Sequence, residues 1–297
     1  MIFYGLIIIA VIMFGANFAL QDVYRRMRGS GLRISLESSF VGSCAGVIVL
    51  LIIHLVQNGF HFEISLTPFT LLMALLSALN GFAFTFCSFR ALDVINLSLF
   101  SLFSMLGGMA LPFLQGIIFY GEELTWAKGV CFALICVALL MTVSRSSEKK
   151  KKGTIYYIGI FMLNGMAGVL TTFHEKSAFP HADPSSYSIW IAVCTLAVSG
   201  IFWLILFSKK KGEKPYTLKA GAVSALHGSV GRIANLLLVI ALANGVHASA
   251  QYPLVTGGVM IVSTLICFFG DRKPSKREIA SIVVAFAGTL ALFFIPV

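Results

Sequence analysis

The feature that most constrains this chain is a series of ten apolar runs, each long enough to cross a lipid bilayer. A helix needs roughly 20 apolar residues to span the hydrocarbon core, and the first run, from Met1 to Leu20, contains no charged residue. Ten such runs in series leave a water-soluble fold without enough polar surface to face the solvent. The predicted spans are 2–22, 36–57, 66–90, 95–120, 125–144, 154–174, 185–207, 217–243, 246–269 and 276–296.

Composition also favours a lipid environment over water. Only 11% of the 297 residues are charged, whereas soluble domains carry about 25% charged residues. The apolar runs lack the alternation of polar and apolar residues that a membrane-spanning β-strand requires. The sequence therefore predicts an all-α integral membrane protein with ten transmembrane helices.

The distribution of positive charge predicts how these helices are oriented. Of the 22 Lys and Arg residues, 19 lie in the loops that follow odd-numbered spans. Cytoplasmic loops concentrate Lys and Arg. We therefore expect these loops to be cytoplasmic and both termini to lie outside, in a bacterial-type cytoplasmic (inner) membrane. Topology explains the net charge of +10, so no nucleic-acid partner is expected.

The two halves of the chain show the pattern of a duplicated unit. A shift of 150 positions aligns glycine with glycine, and glycines mark close helix approach in membranes. A unit of five helices must be inverted in its second copy, and inverted repeats are typical of secondary transporters. The predicted units are residues 1–144, a basic cytoplasmic linker at 145–153, and residues 154–297. The aligned pairs are Gly15 and Gly165, Gly81 and Gly231, Gly107 and Gly257, and Gly108 and Gly258.

Short motifs in both halves resemble the EamA-type drug/metabolite transporter superfamily. The first span ends in Phe14-Gly15-Ala16-Asn17-Phe18, which is similar to the Trp-Gly-Ser-Asn-Phe pattern that opens these transporters. The stretch from Ala91 to Gly121-Glu122 resembles the end of the family's repeat, and Pro253 stands at its helix-proline position. The resemblance implies two inverted five-helix repeats around a cavity lined by helices one, three, four, six, eight and nine. The rhamnose and glucose/ribose porter branches of the superfamily share the outside position of the termini.

A single charged residue lies deep within a predicted span. Arg232 sits near the middle of the span 217–243, whereas all twelve acidic residues lie near span ends or in loops. A charge at that depth costs about 2.5–3.5 kcal/mol on insertion scales and is retained mainly for function. At about 100° per residue, Arg232 shares a polar wedge with Ser224, His227 and Asn235. The wedge is predicted to face a cavity where the guanidinium binds a carboxylate or phosphate; a structural arginine bonded to neighbouring helices is the alternative.

Polar residues on other spans are further candidates for the same cavity. His227 is a candidate to carry a coupling proton, and Asp22 and Glu175, at the ends of spans one and six, are candidates to reach the cavity mouth. Because no Asp or Glu lies deep in a span, a uniporter, an exchanger and a histidine-coupled porter all stay open. No catalytic residue, metal or cofactor is expected. The other substrate-binding candidates are Asn17, Ser77, Asn80, Asn164, Gln251 and Tyr252.

Together these features favour a secondary transporter that moves a small polar or amphipathic metabolite, bearing an anionic or zwitterionic group, by alternating access. Alternatives within the superfamily are a sugar uptake porter of the rhamnose or glucose/ribose type, an exporter of cationic drugs, and a lipid-carrier flippase. A membrane-embedded enzyme or a channel is disfavoured, because the sequence has neither a metal-binding motif nor a repeated filter. The expected partners are the substrate and membrane lipids. Two fused repeats can enclose a cavity within one chain, so we expect a monomer or a homodimer.

Overall fold

The computed structural model describes residues 2–61, 63–95, 97–121, 125–143, 148–205, 216–244, 248–268 and 274–294. In these ranges the chain is helical, with no strand. Among the described residues, seven helices are long and apolar enough to cross a membrane, which confirms the predicted all-α, multi-pass membrane class. The helices are α1 (Ile2–Arg28), α2 (Leu32–Gln57), α3 (Pro68–Val94), α4 (Leu97–Tyr120), α5 (Trp126–Val143), α6 (Glu148–Lys176), α7 (Pro184–Ile205), α8 (Leu218–Ala243), α9 (Ala248–Phe268) and α10 (Lys276–Phe294).

Several helices extend beyond the apolar spans that predicted them. α1 continues to Arg28, and α6 begins at Glu148, so the lysines of the predicted linker 145–153 belong to the first turns of α6. Lys and Arg are good helix formers, and their long side chains let a helix continue into the polar layer beside the membrane. An apolar run therefore marks the membrane-crossing part of a helix and not its ends. Residues 145–147 of the predicted linker, together with residue 144 before it, lie outside the described residues.

Matching N-caps begin two helices that occupy equivalent places in the two halves. Thr67 precedes α3 and its hydroxyl accepts a hydrogen bond from Thr70 N at 3.1 Å. Thr217 precedes α8 and accepts from Ala220 N at 3.2 Å. A threonine side chain in this position satisfies one of the backbone N–H groups that a helix start leaves unpaired. The shift of 150 positions that aligns the glycines also aligns these two caps.

The helices form two four-helix bundles, each of which mixes helices from both halves of the chain. One bundle contains α1, α2, α8 and α9, and the other contains α3, α4, α6 and α7; α5 packs against α10 beside them. Exchanging α1–α5 with α6–α10 converts the most extensive helix contacts of one bundle into those of the other. The bundles meet where α2 packs on α7 and α4 on α9.

Glycines let the helices inside each bundle approach closely. In the 1-2-8-9 bundle, Gly42 of α2 lies against the backbone of Gly228 of α8, and Gly46 lies against the side chain of Arg232. In the 3-4-6-7 bundle, a methyl group added at Gly107 would overlap the backbone of Phe161. Small residues serve this purpose in membrane helices because dispersion contacts, and not hydrophobic burial, hold the helices together.

We expect Gly107→Ala to lower the free energy of unfolding by about 1–3 kcal/mol, because the added methyl group forces α4 away from α6. Gly129→Ala is the matched control, since nothing lies within 4 Å of a methyl group added there and alanine favours helix by about 1 kcal/mol over glycine. Thermal unfolding of both variants in one detergent measures the difference. If the Gly107→Ala protein unfolds at or above the temperature of the Gly129→Ala protein, the contact between α4 and α6 is not tight.

A capping carboxylate fixes the connection between α6 and α7. Asp183 accepts hydrogen bonds from Ser186 N at 3.0 Å and from the Ser65 hydroxyl at 2.9 Å. Burial raises the pKa of Asp183, but the hydrogen bonds from Ser186 and Ser65 outweigh it and hold the pKa below its ordinary value. The carboxylate therefore stabilises the fold above its unfolded pKa, about 3.9, and this stabilisation is lost as the pH falls through the lower folded pKa.

Asp183→Asn should remove this pH dependence. We expect the wild type to unfold at a higher temperature than the variant at pH 7. The gap should narrow as the pH falls below about 4, where the wild-type carboxylate takes up its proton. Parallel thermal melts across that range check the prediction, and a gap of constant size would rule out a contribution from the ionised carboxylate.

Candidate functional site

A cavity of about 320 Å³ lies between the two bundles and is lined by all eight of their helices. Its volume is at the lower end of the range for small-molecule sites, about 300–1,000 Å³. Nine of the ten residues that the sequence singled out for substrate contact line it. They are Asn17, Ser77, Asn80, Asn164, His227, Arg232, Asn235, Gln251 and Tyr252.

Arg232 is the one charged residue among the cavity-lining residues that the structure describes. Its Nη2 donates a hydrogen bond of 2.8 Å to the hydroxyl of Thr195, which in turn donates to the carbonyl of Ile191 at 2.7 Å. No carboxylate of the described residues forms an ion pair with Arg232. The bond to Thr195 crosses from α8 in one bundle to α7 in the other, so the guanidinium bridges the bundles with most of its donors still available.

His227 joins α8 to α1 through a reciprocal pair of hydrogen bonds. Asn17 Nδ2 donates to the carbonyl of His227 at 2.5 Å, and His227 Nδ1 lies 3.2 Å from the carbonyl oxygen of Asn17. Because a carbonyl oxygen only accepts, the imidazole carries its proton on Nδ1 and leaves Nε2 as an acceptor when neutral. Nε2 has no hydrogen bond to any described residue, so it can accept a hydrogen bond from a ligand.

Two asparagines of the other bundle line the cavity and use their nitrogens to bond a neighbouring helix. Asn80 Nδ2 donates to the carbonyl of Leu163 at 2.9 Å, and Asn164 Nδ2 donates to the carbonyl of Ser104 at 2.7 Å. These bonds fix each carboxamide with its nitrogen toward a helix backbone. The oxygens of these lining residues are the groups left to accept a hydrogen bond from a ligand, and Asn235 on α8, which has no hydrogen bond to a described residue, also lines the cavity.

Two glutamines of the cavity lining carry buried carboxamide oxygens without a partner among the described residues. Gln251 of α9 is 0% exposed and donates to the carbonyl of Leu238 at 3.1 Å, while its Oε1 has no hydrogen-bond partner in the described structure. Gln21 of α1 is 2% exposed, and its Oε1 is also unpaired. Both residues line the cavity, one toward each end. Unpaired buried acceptors are rare in folded proteins.

Three residues predicted from the sequence lie away from the cavity lining. Ser224 is fully buried between α8 and α2, where its hydroxyl donates to the carbonyl of Ser38 at 3.0 Å. Asp22 forms ion pairs with Arg25 and Arg26, and Glu175 pairs with His174 at 3.0 Å. Ser224 therefore contributes to helix packing. The two acidic residues, predicted for coupling, are held by neighbours at opposite ends of the bundles.

The two ends of the cavity differ in the contacts that join neighbouring helices. At the end that carries Arg25, Arg28 and Arg90 (the basic end), Asp93 of α3 accepts from Arg25 at 2.7 Å and from Ser30. At the opposite end, which carries His54 and His174 (the histidine end), the symmetry-related helices α6 and α8 make no comparable contact among the described residues. The lining there reaches Leu242, one residue before α8 ends. The contact of Asp93 thus joins α3 to α1 at the basic end, and the cavity lining extends toward the histidine end.

Sequence reasoning missed Thr195 and Gln21. Thr195 lies in an apolar run and bonds the carbonyl four residues earlier, as threonines in membrane helices commonly do. Such a residue gives no signal of a partner on another helix. Gln21 stands near the predicted end of the first span, where a polar residue is expected in any case, so its place in the cavity emerges only from the packing of α1.

Comparison with known proteins shows the fold alone. No protein-family model matches the chain, and no curated protein does. A solved structure described only as "Crystal structure of protein" is similar over 95% of this chain and 94% of its own, with a TM-score of 0.62 and 16% sequence identity. At that identity the likeness establishes that this arrangement of helices occurs in an experimentally determined protein.

Proposed function

We propose that this protein is a secondary transporter that carries a small organic anion or zwitterion across the membrane by alternating access. The observation that carries the proposal is Arg232, a guanidinium inside the central cavity with no carboxylate partner among the described residues. A charge within a membrane protein is costly and is retained mainly where it acts on a substrate or an ion. A bound carboxylate or phosphate would neutralise it through short, charge-assisted hydrogen bonds.

The arrangement of the bundles supports alternating access. The helix contacts are related by exchange of the two halves, as expected for two inverted five-helix repeats that cross the membrane ten times. Rocking of such bundles around a fixed central site opens that site to each side in turn. By the positive-inside rule, the basic end is cytoplasmic and both termini are outside. One chain encloses the cavity, so a monomer suffices.

The lining also distinguishes between substrate classes. It contains no Asp or Glu among the described residues, so an organic cation would find a single repelling charge and no counter-ion. A neutral sugar is the second candidate, because carboxamides such as Asn80, Asn164 and Asn235 line the cavity and bind hydroxyl groups well. The guanidinium favours the anion, since hydrogen bonds to a charged group contribute about 1.5–3 kcal/mol against roughly 1 kcal/mol for a neutral pair.

Counterflow in proteoliposomes tests the proposal. Vesicles are preloaded with one unlabelled compound, and uptake of the labelled form is measured for succinate, ε-aminocaproate, choline and ribose. We expect protein-dependent uptake of succinate or ε-aminocaproate and none of choline. Uptake of ribose alone would replace the anion proposal by the sugar porter, and uptake of choline alone would contradict both.

A further inference from the structure

The unpaired oxygen of Gln251 points to a second contact for the substrate. Its Nε2 faces the carbonyl of Leu238 at 3.1 Å, and a carbonyl only accepts, so the nitrogen and oxygen of this carboxamide cannot be exchanged. Oε1 is therefore a buried acceptor that lacks a partner in the described structure. The side chain is 0% exposed and lines the cavity. A hydrogen-bond donor that enters the cavity is the natural partner for this atom.

The helix geometry of α8 sets the distance between this contact and the anion site. Leu238, which holds the carboxamide of Gln251, lies six residues beyond Arg232. At a rise of 1.5 Å per residue, this separation is about 9 Å along the helix. Long side chains lean toward the N-terminal end of their helix, so the guanidinium leans away from Leu238. The two contacts are consequently separated along the cavity.

We propose that Gln251 is a specificity-determining residue and that the substrate is a molecule with two polar ends. One end is a carboxylate or phosphate that binds Arg232. The other is an amine or hydroxyl group that donates to Gln251 Oε1, near Leu238, whose backbone lies about 9 Å beyond that of Arg232 along α8. This inference rests on the proposed function, because it takes Arg232 as the anion site. Compounds whose amine and carboxylate share one carbon atom are too short to reach both contacts.

Binding of ε-aminocaproate, caproate and glycine to the purified protein tests the inference. We expect the wild type to bind ε-aminocaproate about tenfold more tightly than caproate, because a hydrogen bond to a charged amine adds affinity of this order. Gln251→Met should abolish that preference and leave caproate binding unchanged. Glycine, whose amine and carboxylate share one carbon atom, should gain nothing over acetate.

Gln115 offers a matched control on another helix. Its carboxamide also donates to a helix carbonyl, that of Val169 at 3.3 Å, and its Oε1 is also buried without a partner in the described structure, yet it does not line the cavity. Gln115→Met should therefore keep the full preference for ε-aminocaproate. If Gln251→Met does not fold, the comparison of chain lengths in the wild type decides the question by itself.

The outcomes separate this inference from the proposed function. Equal binding of caproate and ε-aminocaproate to the wild type, or a preference that survives in Gln251→Met, overturns the inference. In either case, loss of caproate binding in Arg232→Ala would leave the anion site standing. A wild type that binds neither compound overturns the inference and counts against the anion site as well.

Discussion

Arg232→Ala is expected to reduce substrate uptake into proteoliposomes to the level of protein-free vesicles. The guanidinium is the one positive charge among the described cavity residues, and each charge-assisted hydrogen bond it donates contributes about 1.5–3 kcal/mol. Loss of two such bonds weakens substrate binding by roughly a hundredfold or more. Thr195, which bonds the guanidinium at 2.8 Å, cannot replace the charge.

Two further variants serve as controls for this experiment. Arg232→Lys keeps the charge but loses the planar fork, so we expect partial uptake with a raised KM. Arg90→Ala removes an equal charge from an exposed position on α3, outside the cavity lining, and should leave uptake unchanged. Normal transport by folded Arg232→Ala would show that this arginine is structural and would remove the basis for an anionic substrate.

Glu37→Ala is expected to lower the free energy of unfolding by about 3–5 kcal/mol, the usual consequence of removing one partner from a buried ion pair. Glu37 accepts from Arg28 Nη2 at 2.7 Å and Nε at 2.9 Å, and from the hydroxyl of Tyr24 at 2.6 Å. All three side chains are buried at the basic end. The substitution leaves the guanidinium and the phenol without their acceptor, and denaturant or thermal unfolding in detergent measures the loss.

Restoring apolar packing should largely reverse the effect. The triple variant Tyr24→Phe, Arg28→Met and Glu37→Leu replaces every member of the network by a residue of similar shape, which is often neutral or stabilising. Arg26→Ala is the control for an exposed pair: the Arg26 side chain is 40% exposed where it meets Asp22, and such pairs contribute less than about 1 kcal/mol. A loss for Glu37→Ala no larger than for Arg26→Ala would contradict the buried-network account.

The sequence predicted the helices well, because the bilayer imposes one length and one chemistry on every span. The span 217–243 differs from α8 by one residue at its start, and 36–57 differs from α2 by four. The larger departures, at α1 and α6, are charged helix ends that hydropathy does not register. The partition into bundles was not predictable in this way, since it depends on which helices pack together.

The site was predictable where one helix carried the signal. Arg232, His227 and Asn235 share a polar face of α8, and the structure places that face on the cavity. Ser224 belongs to the same face by angle but lies two turns closer to the basic end, where α2 covers it. Helical periodicity gives the direction of a side chain but not the depth at which another helix closes over it.

Contacts between side chains and other helices could not be predicted from the sequence for a related reason. Thr195 accepts a hydrogen bond from Arg232 of α8, and Gln251 donates one to Leu238 of the same helix. Both contacts depend on distances between helices that a single sequence does not contain. Gln251 was a candidate because it is a polar residue close to Pro253, on a span that the family resemblance places at the cavity. The structure adds that the carboxamide nitrogen bonds the carbonyl of Leu238 and that the oxygen has no partner among the described residues.

The most direct measurement is a thermal-shift screen of the purified protein against anionic, zwitterionic, cationic and neutral metabolites, with Arg232→Ala in parallel. A ligand at 100 times its Kd stabilises the folded state by about 2.7 kcal/mol, which a melting curve resolves readily. We predict that carboxylates or phosphates raise the unfolding temperature of the wild type and not of the variant. A shift produced equally in both proteins by sugars or cations, with none from anions, would contradict the account.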